Sequence, residues 1–151
     1  MTEGFTILRP ADANRMFAMQ AEPQESADAL EANLKADHRL AIGSEASGGE
    51  LIAFLIALLT PDLADIEFVF VAPGRRREGL ASRLIKVLAK QAGQRGIGRI
   101  GLEVSEGNQQ ARALYRKLGF QTDHCRLNYY RDGSAAYLMS RNTSGFAGLG
   151  H

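Results

Sequence analysis

Residues 75–82 read Arg75-Arg76-Arg77-Glu78-Gly79-Leu80-Ala81-Ser82, placed between a strand-like run, Ile66–Val71, and an amphipathic helix that opens at Gly79. The start of a helix presents N–H groups without backbone partners and a partial positive charge, a combination that suits phosphate. Gly79 and Ala81 carry little bulk, so a pyrophosphate could approach the main chain, and arginine binds phosphate strongly. An ordinary solvated basic turn would have the same composition, and position alone leaves both readings open. Gly74 and Gly79 have the spacing that opens a P-loop, but Leu80-Ala81 occupies the Lys-Ser/Thr positions, so nothing would reach terminal phosphates and a nucleotide kinase is excluded. Gly96-Ile97-Gly98-Arg99-Ile100-Gly101 spells G-x-G-x-x-G but leads into a strand. The dinucleotide fingerprint leaves a strand and opens a helix, so this is a chance match.

Working outward, the helix from Gly79 runs about four turns, with Leu80, Leu84, Val87, Leu88 and Gln91 on one face. Arg99–Val104 then alternates as a strand, Ile100, Leu102 and Val104 on one side and Gly101 and Glu103 on the other. A second helix is predicted from Asn108 to Leu118, with Ala111, Leu114, Tyr115 and Leu118 as its buried stripe and Gly119 as its stop. Two strands, 121–129 and 135–141, flank the turn Arg131-Asp132-Gly133. Upstream, Phe5–Arg9 reads as a short strand, residues 11–21 and 26–36 as helices, and Leu40–Ile42 and Leu51–Leu59 as strands joined by Gly43–Gly49. Ser26 is the expected cap of the second helix. Strand–helix alternation in the middle with hairpins at both ends predicts an α/β fold.

The chain has 151 residues, 18 Lys+Arg and 17 Asp+Glu, for a formal charge of +1, which excludes a generic polycation coating nucleic acid or membrane. The balance conceals a split: residues 1–67 sum to −8 and residues 68–151 to +9, the asymmetry expected of a protein with an anionic ligand on one side. Twelve of sixteen glycines lie from Gly74 onward. The length fits one domain, expected over residues 1–141, with a loose tail over 142–151. Met-Thr-Glu-Gly-Phe does not read as a signal peptide, and Leu51–Leu59, the longest apolar run, is too short to span a membrane. With the single cysteine Cys125, this composition predicts a cytoplasmic protein without a disulfide. His38, His124 and His151 have no ligand spacing with each other or with Cys125, so no metal is expected. Asn142-Thr143-Ser144 fits a glycosylation sequon, which has no use in that compartment.

Two polar residues stand out within these elements. Glu103 lies mid-strand opposite an apolar face, as solvent-facing filler or as a base in a cleft. Tyr115 is a core residue of its helix or a proton donor to a leaving group. Asn108 can cap its helix.

The order of these pieces resembles the GNAT superfamily of acetyl-CoA-dependent N-acetyltransferases from about Ala64 to Arg141. Its Gln/Arg-x-x-Gly-x-Gly/Ala pattern stands here as Arg76-Arg77-Glu78-Gly79-Leu80-Ala81. Its strand–Asn–helix–Gly-Phe block stands as Leu102-Glu103-Val104, Asn108, Ala113-Leu114-Tyr115 and Leu118-Gly119-Phe120. Within it, these residues and Arg126-Leu127-Asn128-Tyr129-Tyr130 look like the bacterial ribosomal-protein-alanine N-acetyltransferases. The resemblance implies a GNAT fold, a mixed, mostly antiparallel central sheet flanked by about four helices. It implies that N–H groups from Arg77 to Ser82, with Arg76, hold the pyrophosphate of acetyl-CoA. Val69, Phe70 and Val71 would pair with the pantetheine arm, one N–H polarising the thioester carbonyl, and Asn108 would contact the same arm. Glu103 would be the general base and Tyr115 the general acid, with Glu67 an alternative base. The acceptor would be a protein N-terminus, as of a small-subunit ribosomal protein; a small amine or antibiotic, or a regulatory module that only binds acetyl-CoA, are the other functions the pattern admits. The acidic N-terminal half would suit a basic peptide, or is simply a solvated face. Ser105-Glu106-Gly107 departs from the basic and small residues that the closest relatives carry before the Asn.

Overall fold

The computed structural model describes residues 4–20, 23, 25–36 and 38–146. Seven strands form one sheet: β1 (Gly4–Ile7), β2 (Arg39–Glu45), β3 (Leu51–Leu59), β4 (Ala64–Val71), β5 (Arg99–Ser105), β6 (Gln121–Arg126) and β7 (Ala136–Asn142), in the spatial order β1-β2-β3-β4-β5-β7-β6. Only β4 and β5 run parallel; the other neighbours are antiparallel. Four helices, α1 (Ala13–Ala18), α2 (Ala27–Lys35), α3 (Leu80–Gln94) and α4 (Gln109–Lys117), cover the sheet. This is the α/β arrangement expected from the sequence. None of the described helices is long and apolar enough to cross a membrane.

The two faces of the sheet carry two cores. Leu40, Ile42, Leu55, Ala57, Ala64, Ile66, Ile100 and Leu102 bury one face against α3 and α4. Ala41, Phe54 and Ile56, from the intervening positions, bury the other against α1 and α2. Alternation along each strand is what separates them. The α3 face is turned from the one read in sequence: Leu80, Leu84, Ile85, Leu88, Ala89 and Ala92 are buried, while Val87 and Gln91 are only partly covered. A helix lying across a sheet buries a stripe wide enough to include both i+4 and i+5 neighbours.

Several boundaries move for local reasons. The predicted helix 11–21 is a 3-10 turn, Pro10–Asp12, followed by the six residues of α1; residues 21 and 22 lie outside the described residues. β2 continues through Gly43 and Ser44, which the sequence placed in a turn. A Cβ at Gly43 would lie 2.8 Å from Leu8 Cδ2 and 2.9 Å from Leu51 Cδ1, so this glycine admits close packing within the strand. β6 ends at Arg126, short of the predicted 129, because Asn128 takes φ +51, a conformation asparagine tolerates and strands do not. Residues 142–146, read as part of a loose tail, are instead held to the body. Thr143 N donates to Gly98 O at 2.9 Å and its hydroxyl to Ile97 O at 2.9 Å. Phe146 is 8% exposed beneath the Arg141 guanidinium, 3.7 Å from its ring centroid. Residues 147–151 lie outside the described residues.

Candidate active site

The parallel pair β4–β5 is short. Register runs Ala64↔Ile100, Asp65↔Gly101, Ile66↔Leu102 and then stops, although both strands continue. On its other side β4 stays paired with β3, but Ile56 faces Phe68 while Ala57 faces Ile66, so Glu67 is an unopposed bulge residue. A bulge bends its strand and swaps the faces of the residues beyond it. Ala64 and Ile66 face α3, Phe68 and Phe70 face α1 and α2, and Val69 and Val71 return to the α3 face. From Glu67 onward the β4 edge towards β5 has no strand partner among the described residues. The Val69–Val71 stretch thus leaves one edge without a strand partner along an opening in the sheet, as an extended ligand needs. Arg76 Nε reaches that edge and donates to Val71 O at 3.2 Å.

At one side of the opening lies the turn that ends in α3. Arg77 and Gly79 both have positive φ, +69° and +77°. A left-handed backbone at arginine is uncommon and points to a constrained function, and left-handed residues alternating with right-handed ones turn successive N–H groups inward as an anion-binding nest. A Cβ at Gly79 would meet nothing within 4 Å, so the concavity is open. Gly79 caps α3 without a side-chain hydrogen bond, leaving the first N–H groups, through Ala81 and Ser82, to an outside partner. Leu80 is 1% exposed, so only its backbone can take part. Glu78 instead stays with the turn: its carbonyl accepts from Arg83 at 2.7 Å and its carboxylate lies 3.8 Å from Arg75. The residues fit a bound diphosphate.

On the α1–α2 face the opening is acidic. Asp65 and Glu103 sit on the same face, Glu103 two residues beyond Gly101, the residue paired with Asp65. Burial, and then the charges of Glu67 and Glu103, raise the Asp65 carboxyl above its ordinary range. Glu67 is gripped by Arg39 through two hydrogen bonds, at 2.7 and 3.2 Å. Both of its oxygens are therefore engaged. Glu103 is exposed, accepts one hydrogen bond, from Tyr130 Oη at 2.9 Å, and leaves Oε2 open among the described residues. Beside this cluster a cleft of about 280 Å³ is lined by Gln20, Glu25, Asn33, Arg39, Glu67 and Phe68, among others. Asn33 Oδ1 is buried there with no partner among the described residues.

Tyr115 lies on the opposite, α3–α4 face, partly buried against the core, its ring 5.9 Å from Phe120. Burial raises its ionisation above a phenol's ordinary value, so it stays a hydrogen donor. Asn108 caps α4, its Oδ1 accepting from Ala111 N at 3.1 Å, which leaves the side-chain amide nitrogen for a ligand. Three partners were not named as site residues from sequence: Asp65, Arg39 and Tyr130. The pairs they join are 28 residues apart for Arg39–Glu67 and 27 for Tyr130–Glu103. No local spacing announces such contacts. Among the described residues no group of three His, Cys, Asp or Glu is placed to hold a metal ion.

The model of the acetyltransferase (GNAT) family matches residues 8–120. The [ribosomal protein bS18]-alanine N-acetyltransferase of Escherichia coli K12 is 37% identical over 82 residues, covering 54% of this chain and 55% of that one. The chain thus spans about half the length of that relative. The N-alpha-acetyltransferase RimI of Mycobacterium tuberculosis H37Rv is 33% identical over 154 residues, covering 94% of this chain and 95% of its own. Among solved structures, the ribosomal-protein-S18-alanine N-acetyltransferase from E. coli superposes with a TM-score of 0.84 at 28% identity, covering 95% of this chain and 96% of that one.

Proposed function

The chain belongs to the acetyltransferase (GNAT) family, and from that premise we propose that it transfers acetyl from acetyl-CoA to the N-terminal α-amino group of a protein, a small-subunit ribosomal protein being the favoured class. The observation that carries this reading is Glu103, one carboxylate oxygen open, on the strand beside the mouth where β4 and β5 part; Tyr115 packs on the opposite, α3–α4 face of the sheet. A thioester lying in that mouth would have a base on the acceptor side and an acid on the side of the leaving group. The resemblance to relatives named for protein N-termini supports the acceptor class.

The Arg77–Ser82 backbone, with Arg76, would hold the pyrophosphate, and the free edge of Val69–Val71 and the Asn108 amide would hold the pantetheine arm. One N–H of that edge would polarise the acetyl carbonyl. The co-substrate supplies an acetyl group activated as a thioester. Glu103 Oε2 would take a proton from the acceptor's ammonium, directly or through a water, so that the neutral amine can attack. As the C–S bond breaks, Tyr115 Oη would give its hydrogen to the departing sulfur, and the second proton shed by the acylated nitrogen would restore the phenol by way of solvent. Transfer is direct, with no covalent enzyme intermediate. An α-amino group ordinarily titrates at about 7.7–8.0, against about 10.4 for lysine, so an α-amine asks less of a carboxylate base. Glu67, with both oxygens on Arg39, is the poorer candidate for that base. The acidic cleft would receive the residues beyond the amine.

The test is thiol release with an Ala-starting basic peptide, set against polyamines and aminoglycosides. Glu103→Gln should lower kcat/KM on the peptide by about 10²–10⁴-fold with acetyl-CoA affinity kept. Faster turnover on a small amine would replace the acceptor class. Acetyl-CoA binding without thiol release on any amine would mark a regulatory module.

A further inference from the structure

Tyr130 Oη donates to Glu103 Oε1 at 2.9 Å, although nothing in the transfer of acetyl requires a third residue at that oxygen. The contact is built rather than incidental. Tyr130 lies in the loop between β6 and β7, and β7 is the strand that pairs with β5, Leu138 opposite Glu103. The loop is closed on itself. Tyr129 N and Tyr130 N both donate to Ser134 O, at 3.1 and 3.2 Å, and Gly133 N donates to Tyr130 O at 2.9 Å. Asp132 Oδ1 accepts from Ser134 N at 2.9 Å and from its hydroxyl at 2.6 Å. The Tyr130 ring packs edge-on against Tyr129, with centroids 5.1 Å apart. A phenol carried by so braced a turn holds its partner in one place.

The surroundings of Glu103 give that hold a purpose. From β4, Asp65 feels the charges of both Glu67 and Glu103; from β2, Arg39 turns Nε and Nη2 to Glu67. On its own loop, Asp132 is committed to Ser134. Glu103 therefore stands beside like charges, and the Tyr130 hydroxyl is the hydrogen-bond donor that holds it among them.

We propose that Tyr130 is a positioning residue for Glu103: its hydroxyl fixes one carboxylate oxygen and aims the other at the acceptor. This rests on Glu103 being the base. Tyr130 is suited to the task because its own ionisation is pushed up to about 12, first by burial and then by the hydrogen bond and charge of Glu103, so it remains a donor throughout the working range.

The experiment is Tyr130→Phe, which keeps the ring and its packing on Tyr129 and removes only the hydroxyl. A hydrogen bond to a charged group favours the charged form, so its loss should move the acid-side limb of the kcat/KM profile to higher pH by about one unit. Activity would fall about tenfold below the limb and recover above it, with acetyl-CoA affinity unchanged. A uniform loss across pH, the signature of a merely structural role, would overturn the proposal. A carbon-13 titration of the Glu103 carboxyl in both proteins keeps it separate from the reading it rests on. Identical titration curves would overturn the role of Tyr130. A shifted curve without movement of the kinetic limb upholds the role of Tyr130 and overturns Glu103 as the base.

Discussion

Gly79→Ala separates the cost of backbone strain from the cost of filling the diphosphate cradle. Gly79 has φ +77°, and a Cβ built on it meets no atom within 4 Å. In the free protein the methyl therefore clashes with nothing, and the whole penalty is conformational. A left-handed L-residue costs roughly 1–2 kcal/mol, offset by about 0.4–1 kcal/mol from the stiffer unfolded chain. The net loss is about 1 kcal/mol, which lowers Tm by about 2–4 °C in a domain of this size. The space the methyl enters is the concavity assigned to the pyrophosphate, so the steric cost is deferred to the bound state. Acetyl-CoA should bind at least about tenfold more weakly, a loss of about 1.4 kcal/mol. Gly96→Ala is the control: φ is +75°, a Cβ again meets nothing within 4 Å, and the site lies at the far end of α3. Thermal melts should give both variants the same drop, while calorimetric titration should show weakened binding in Gly79→Ala alone. Equal affinities in the two variants would remove the pyrophosphate from this turn.

The same geometry makes two further outcomes testable. Asp65 titrates above its ordinary value of 3.8 in the folded protein, so the native state binds that proton more tightly than the unfolded chain. Stability is then lost as pH rises from the unfolded value through the folded one. Asp65→Asn should raise the urea midpoint at neutral pH, and the gain should vanish below about pH 3.8; a gain that persisted there would mean that charge is not the cause. Phe146→Ala removes a ring that is 8% exposed and packed in the larger core. It should cost about 3–5 kcal/mol, or on the order of 10 °C in Tm, whereas an unchanged melt would mean that the segment contributes nothing to folding.

Where the sequence could be read, local chemistry was sufficient. β3 falls on its apolar run, Leu51–Leu59, and α4 lies between the Asn108 cap and Gly119, as spacing predicts. The first N-terminal helix was less legible, because Pro10 and the short run before Met19 support only a 3-10 turn and six residues of helix, whereas α2 follows its Ser26 cap as predicted. Of the site, the basic turn and Glu103 were visible because strand alternation and a helix start are local properties. That Arg77 shares the left-handed conformation of Gly79 was not visible, since arginine carries no signal for it. Nor was the choice between Glu67 and Glu103, which depends on two partners brought in by distant parts of the chain, Arg39 to one and Tyr130 to the other.

The bulge at Glu67 connects the charge split to the chemistry. Without it, strict alternation would put Phe68 and Phe70 on the same face as Ala64 and Ile66, crowding aromatic rings against α3. With it, Phe68 stacks on Phe54 and Phe70 packs tilted against it, with centroids 5.5 and 5.9 Å away, and Val69 and Val71 join the α3 core instead. The same extra residue bends β4, which accounts for the loss of pairing with β5 immediately after Ile66. It also leaves Glu67 free of any cross-strand partner and able to reach Arg39 over β3. A single inserted residue thereby opens the sheet, bares the β4 edge and commits Glu67 to Arg39. The basic turn before α3 and the acids Asp65 and Glu67 of β4 then stand on opposite sides of that opening. A near-neutral protein can in this way offer one face to a diphosphate and the other to an ammonium.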